Sequence, residues 1–384
     1  MRFSFFQEIK AVGIKRQIDS LTSLRFFAAA MIVVGHGGSS SYFSYSVGFL
    51  DLRNAVSFFF VLSGFILSHA YSELDVKHGL RSFFAARFSR LYPAHLFTAL
   101  VAMFLFSPIG SAYDLIRSAV NLSMLQSMIP LLPWHYSLNA VSWSISTEFF
   151  FYALFPFILP IAKRRPKLIA LASVLLIALS VSIVSLLNLS IVEPSGGVTA
   201  WGILYISPIT RLAEFMAGMV AYQAALKMHD GSNVWARSKA SGLEVAALVL
   251  VVASMCGMTW LSKNILASIA PQASVWVLVA GSFIPFCIMI AVFSGQRGAL
   301  SNLLTWRPLV YLGQISFSLY MVHQLVIRCM YRWHGANFDS NWLAFYIAYW
   351  SISLLCAAAL FHFIEQPFQN PLKRVISGYR VTRS

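Results

Sequence analysis

The chain has 384 residues, 58% of them hydrophobic and only 11% charged, where water-soluble domains are about 25% charged. With a mean hydropathy of +0.72, it reads as an integral membrane protein, an all-α bundle of about ten spans and not two or three soluble domains. The net charge of +15 does not indicate a nucleic-acid partner, because the basic residues are scattered through short loops between apolar runs, as the positive-inside rule expects, and form no continuous face.

Residues 1–20 form a basic leader carrying Arg2, Lys10, Lys15 and Arg16, expected in the cytoplasm. The first span opens on SLRFFAAAMIVVGHGG at 23–38, with Asp19 or Ser20 as its N-cap. An apolar run that holds Arg25 and His36 and lacks a convincing cleavage site reads as an uncleaved helix. The stretch HGGSSSYFS then makes the outer turn. A second span covers about 55–70, and Lys77, Arg81, Arg87 and Arg90 mark a cytoplasmic loop. The third span is expected to begin after Pro93. Residues 107–139, with Arg117 as their one basic residue, read as an outer loop with a partly apolar, re-entrant portion. The fourth span, about 140–162, contains Glu148 and ends at KRRPK (163–167), a strong cytoplasmic marker.

Spans five and six lie near 168–188 and 208–226, the latter carrying Arg211 and Glu214. Spans seven and eight, near 243–262 and 274–294, have no ionised side chain in their interiors, which suits lipid-facing or packing helices. Span nine, about 309–328, holds Tyr320 and His323, and span ten, about 342–364, ends at HFIEQPF. The core of the protein is thus 21–368, followed by a basic cytoplasmic tail, 369–384, and both termini fall in the cytoplasm. Cys256, Cys287, Cys329 and Cys356 lie in or beside apolar segments and read as small buried hydrophobes.

Ionisable groups inside spans are expensive and usually face a protein interior or a wet cavity. Arg25 and His36 are eleven residues apart, which returns to nearly the same helix face about 16 Å further along the axis. That face carries a permanent cation near one surface and a titratable imidazole toward the other. The bland alternative is a snorkelling arginine and a structural histidine. With the assumed topology, His36, Glu148, Arg211, Glu214 and His323 lie in the outer half or near mid-depth, and Arg25, Arg87 and Arg90 toward the cytoplasm. This polarity suggests an inner cationic site for an anionic co-substrate and an outer acid–base site. A histidine can take the proton of an attacking hydroxyl. Glu148 either fixes its tautomer or pairs with Arg211 as a structural salt bridge. Arg211 and Glu214, i and i+3, favour mutual neutralisation. Tyr320 and His323 share a face and either line a substrate path or pack. Arg87 and Arg90 suit phosphate or merely follow the positive-inside bias. His69, His78, His95, His135, His229, His334 and His362 read as bland, and no histidine–carboxylate set has metal-ligand spacing, so no metal is expected.

Taken together the motifs resemble the acyltransferase-3 family of bacterial inner-membrane O-acyltransferases, over nearly the whole chain. Arg25 and His36 fit its Arg-x10-His pattern, SFFFVLSGFILS (57–68) its second-helix signature and RFSRLYP (87–93) its Arg-x-x-Arg-x-x-Pro segment. WSISTEFFFY (143–152) fits its Trp-Ser-x-x-x-Glu segment, RLAEFMAG (211–218) its sixth helix, and GQISFSLYMVHQ (313–324) with FIEQPF (363–368) its C-terminal pair. Many relatives have a second acidic residue where this chain has Phe149. The resemblance implies transfer of an acyl group, usually acetyl from acetyl-CoA, to a sugar hydroxyl of an exopolysaccharide, lipid-linked or other envelope glycan. It implies that Arg87 and Arg90, joined by Arg25, hold the CoA phosphates, and that His36 is the general base or itself accepts the acyl group. Glu148 orients His36 or binds the acceptor, and Arg25 counts with His36 and Glu148 in the catalytic set. Trp143, Arg211, Tyr320 and His323 are expected at the acceptor. The C-terminal hydrolase-like domain of some relatives is not expected, and the bilayer and polysaccharide-pathway proteins are the expected partners. The competing classes are a secondary transporter, against which stand the lack of repeat symmetry and of a broken helix pair, and a non-catalytic export partner.

Overall fold

The computed structural model describes residues 17–37, 46–47, 49–74, 79–107, 109–192, 197–229, 236–334 and 341–369. Residues 1–16 of the basic leader, most of the outer turn after His36, His78 and the tail beyond Gln369 lie outside the described residues. The architecture is all-α: the strands among the described residues, β1 (Ser46–Val47) and β2 (Leu50–Asp51), form one minimal hairpin. The principal helices are α1 (Asp19–His36), α2 (Asn54–Ala70), α3 (Leu80–Phe106), α4 (Ala112–Leu122), α5 (Trp143–Arg164), α6 (Pro166–Leu186), α7 (Pro208–Met228) and α8 (Arg237–Leu261). They are followed by α9 (Pro271–Ala280), α10 (Phe283–Phe293), α11 (Ala299–Leu304), α12 (Arg307–His334) and α13 (Trp342–Leu360). Among the described residues, eight helical stretches are long and apolar enough to cross a membrane, so this is a multi-pass membrane protein. α2, at 17 residues, is a shorter apolar helix, and α1 has 18 residues.

At the centre, α2 packs along α7, and α1 along α12. Inside a bilayer lipid is as apolar as the helices, so close packing has to hold them together, and small residues permit it. A Cβ on Gly64 would overlap the carbonyl oxygen of Phe215, and one on Gly218 that of Val61. The two glycines therefore let the α2 and α7 backbones touch reciprocally. α6 and α8 lie outside, with Leu171, Val174, Leu175 and Leu179 on one and Val245, Val249 and Val252 on the other exposed toward the lipid.

Three local expectations are corrected. First, α3 runs without interruption from Leu80 through Pro93, so Arg87 and Arg90 lie on a helix and not in a loop. A proline removes its own N–H donor, but the burial of Phe83, Leu91, Ala94 and His95 on both sides keeps the helix intact. Second, the eighth span is broken at Gly281–Ser282 into α9 and α10. Pro285, in the first turn of α10, has no N–H to offer Gly281. The carbonyls left at the end of α9 are taken by α2: Asn54 Nδ2 donates to Leu278 O (2.6 Å) and Ser57 Oγ to Val279 O (2.9 Å). Third, α1 has no side-chain N-cap of its own. Gln296 Oε1 accepts from the backbone N–H of Asp19 (3.1 Å) and of Ser20 (3.4 Å) instead.

The expected outer loop 107–139 contains α4, an amphipathic helix too short to span. It is capped by Ser111, which accepts from Asp114 N–H (3.1 Å). Tyr113, Leu115 and Ile116 point outward, and Ser118 and Asn121 face the protein. This polarity suits a helix lying at a membrane surface.

Candidate active site

His36 is the last residue of α1, and Gly37 beyond it leaves space for the Tyr349 ring, which a Cβ would strike. Its Nδ1 lies 3.1 Å from Ile32 O and 3.1 Å from Nε2 of the buried His323 on α12, and the ring centroids are 5.0 Å apart. His323 Nδ1 is 3.1 Å from Leu319 O. The two imidazoles are thus held together, each against a carbonyl of its own helix.

His36 forms part of the wall of a cavity of about 340 Å³, a size in the usual range for a small-molecule site. Aromatic side chains dominate the rest: Tyr136, Trp143, Trp201, Tyr205 and Tyr320. They are fixed from behind. Tyr320 Oη donates to Val141 O (2.9 Å) and lies 2.8 Å from Ser144 Oγ, and Trp201 Nε1 donates to Tyr136 Oη (2.8 Å). Arg53 enters the cavity paired with Asp51 and stacked over Trp201 at 5.0 Å, so its charge is largely compensated. Tyr205 sits in the π-helical turn Gly202–Ile206 ahead of α7, an irregularity often found at functional sites. The loop pattern gave no periodic signal for Trp201 or Tyr205, and Arg53 had no motif around it.

Arg211 lies beneath this cavity. It is fully buried, its Nη1 is 2.9 Å from Glu214 Oε1, its Nη2 donates to Ser57 Oγ (3.1 Å), and its guanidinium stacks over Phe60 (5.1 Å) and Tyr205 (5.5 Å). The i, i+3 pair is formed as the spacing favours, and Arg211 supports the cavity wall through Tyr205.

Glu148 lies elsewhere. Its Oε1 accepts from Ser63 Oγ (2.8 Å), nine residues into α2, and from Tyr152 Oη one turn along α5. Neither His36 nor Arg211 is among its partners, which corrects both expected pairings. The carboxylate faces the opposite group: the charges acting on Arg25 are Arg90, Glu365 and Glu148, and Glu148 also acts on Arg87. Arg87 stacks over Tyr71 (5.2 Å) and Tyr152 (5.9 Å) and donates to Tyr71 Oη (3.1 Å). Arg25, Arg87 and Arg90 are half-buried, and among the described residues Arg25 and Arg90 form no hydrogen bond or ion pair. Glu365, held by Ser318 Oγ (2.8 Å) and Gln369 Nε2 (3.1 Å) at the end of the π-helical turn Phe361–Glu365, completes the cluster. Its motif was visible in the sequence, but its partners on α1 and α3 were not.

The structure therefore forms two groups joined by α1: His36, His323, Trp143 and Tyr320 at a cavity, and Arg25, Arg87, Arg90, Glu148 and Glu365 in a polar cluster. The buried His135 forms no hydrogen bond of good geometry among the described residues, and the Ile129 carbonyl is the group near enough to act on its ring. His95 Nε2 lies 2.9 Å from Asn121 O and His229 Nε2 2.9 Å from Ala291 O, both packing roles.

A family model described as an acyltransferase domain matches residues 18–362. The acyltransferase MdmB of Streptomyces mycarofaciens is 29% identical, with 93% of each chain covered. The putative peptidoglycan O-acetyltransferase YrhL of Bacillus subtilis is 24% identical over 92% of this chain and 55% of its own length. The peptidoglycan O-acetyltransferase OatA of Listeria monocytogenes is 23% identical over 93% of this chain and 56% of its own. The chain thus spans just over half the length of these two O-acetyltransferases. No solved structure matches it significantly.

Proposed function

This chain belongs to the acyltransferase-3 family and is an enzyme that transfers acyl groups, and we propose that it carries acetyl from cytoplasmic acetyl-CoA to a hydroxyl of an envelope sugar at the outer side of a bacterial inner membrane. One observation carries this reading: α1 holds Arg25 in the guanidinium cluster at one level and His36 in the wall of an aromatic cavity at another. Eleven residues of helix separate them by about 16 Å, a distance the extended pantetheine arm of CoA can bridge.

Arg25 and Arg90, with donors uncommitted among the described residues, and Arg87 beside them suit the phosphates of CoA. Their location fits a cytoplasmic donor site, with ten helices crossing the membrane and both termini on the cytoplasmic side. The cavity suits the acceptor. Trp143, Trp201 and Tyr320 offer flat faces to the C–H side of a sugar ring, and the compensated Arg53 suits an uncharged ring. The nearest chemical classes are exopolysaccharide and lipid-linked sugars. His36 takes the hydroxyl proton as the acceptor oxygen attacks the acyl carbon. The C–O bond forms, the C–S bond breaks, and the proton passes to the departing thiolate. Glu148 and Glu365 balance the guanidinium charges when CoA is absent.

The test uses membranes from cells with and without the protein, supplied with acetyl-labelled CoA on the cytoplasmic face. Label is expected in the glycan or lipid-linked sugar fraction and is expected to vanish in His36→Ala at normal protein level. Full labelling by His36→Ala contradicts the assignment of the base.

A further inference from the structure

We propose that His323 is a positioning residue that holds His36 in its Nδ1–H tautomer, so that Nε2 is the nitrogen that carries the basic lone pair. This rests on the reading of His36 as the base.

The argument follows the protons around the pair. Backbone carbonyls only accept hydrogen bonds. His323 Nδ1, 3.1 Å from Leu319 O, therefore carries a proton, and in a neutral ring its Nε2 is then an acceptor. That acceptor is 3.1 Å from His36 Nδ1, so His36 Nδ1 is the donor. Its contact with Ile32 O requires the same. The reverse arrangement would set a lone pair against a carbonyl oxygen at each ring. One proton order alone satisfies all three contacts, and it places the basic nitrogen of His36 at Nε2.

Ile32 O is a weak second partner, because in an α-helix it already accepts from the backbone N–H of His36. His323 Nε2 is the acceptor whose position does not depend on α1. It comes from α12, which packs along α1 at the approach of Gly313 to Thr22, where a Cβ would overlap the Thr22 carbonyl. Burial excludes water from His323, so the ring cannot trade its partner for solvent. During transfer His36 gains a second N–H, and His323 Nε2 keeps accepting from the first, which stabilises the imidazolium. This is the function of the buried orienting carboxylate in a nucleophile–histidine–carboxylate triad, performed here by a neutral ring. A neutral partner suits a site where Glu148 is engaged with Ser63 and Tyr152.

The two ring nitrogens of His323 can be replaced separately. Glutamine puts its amide oxygen near the place of Nε2, and asparagine reaches only the place of Nδ1. With normal protein levels and acetyl-CoA affinity, His323→Gln is expected to keep transfer within about threefold of wild type. His323→Asn is expected to lower kcat at least about tenfold, the scale seen when a metal-ligating histidine loses its outer-shell partner, with KM for acetyl-CoA unchanged. Equal activity of the Gln and Asn variants, at any level, overturns the proposal. A second readout does not depend on turnover. In protein labelled with 15N-histidine and assigned with His36→Gln, Nε2 of His36 is expected to give a pyridine-type nitrogen signal at neutral pH, and a protonated Nε2 overturns the proposal. If instead His36→Ala retains transfer while this tautomer is found, the failure lies in the base assignment and not in the pairing.

Discussion

Glu148 shows how much a single side chain depends on its neighbours. Its carboxylate lies among the fields of Arg25 and Arg87, where it competes with any anion for them. Glu148→Gln keeps an acceptor oxygen for Ser63 and Tyr152 and removes the charge. It is expected to tighten acetyl-CoA binding severalfold at low salt, as read by calorimetry, and weaker binding would contradict the placement. Arg211 behaves differently because its pair is fully buried. Breaking such a pair costs about 3–5 kcal/mol, whereas replacing both partners by apolar groups is often neutral. Arg211→Ala is therefore expected to lose folded protein in size-exclusion profiles, and Arg211→Met with Glu214→Leu to recover it. The one-face relation of Arg25 and His36 and the Arg211–Glu214 pair were legible in the sequence, since both lie within one helix. The partners of Glu148 and His36 were not, because they depend on how α2, α5 and α12 are rotated and offset against each other.

Most helices follow from hydropathy alone: a span read at about 55–70 is observed at Asn54–Ala70, and one at 168–188 at Pro166–Leu186. The passage of α3 through Pro93 and the break at Gly281–Ser282 are settled by neighbouring helices, such as the Asn54 and Ser57 side chains that take the α9 carbonyls. The α2–α7 crossing is the element most sensitive to one methyl group. Gly64→Ala is expected to lower the melting temperature sharply or abolish expression, since the overlap is with backbone and over-packing costs about 1–3 kcal/mol or more. The connection between α4 and α5 carries a pH dependence. Burial lowers the His135 imidazole to about 4, against an ordinary value near 6.5. The unfolded segment therefore binds more protons between these limits, and local stability is complete above about pH 6.5 and lost as pH falls toward about 4. Hydrogen exchange in residues 126–142 is expected to accelerate at pH 5 relative to pH 7.5, and His135→Phe to flatten the difference. An unchanged difference would contradict the role of His135.

At the scale of the molecule, the distribution of charge orients the chain. Lys163, Arg164, Arg165 and Lys167 follow α5, at the end of that helix remote from the Trp143 cavity. In the proposed topology, which follows the positive-inside rule, the guanidinium cluster lies toward the cytoplasm and the cavity toward the opposite side. A fluorescent protein fused after Ser384 is expected to fluoresce in the cytoplasm, and an alkaline phosphatase fused there to be inactive. The separation of the two groups along α1 is the central claim, and acetyl-CoA binding tests it most directly. Purified protein in nanodiscs is titrated with acetyl-CoA alongside Arg87→Ala/Arg90→Ala and His36→Ala. The account predicts saturable binding that is lost in the double arginine variant and kept in the histidine variant; binding that survives loss of both arginines, or intact wild-type protein that binds no acetyl-CoA, would contradict it.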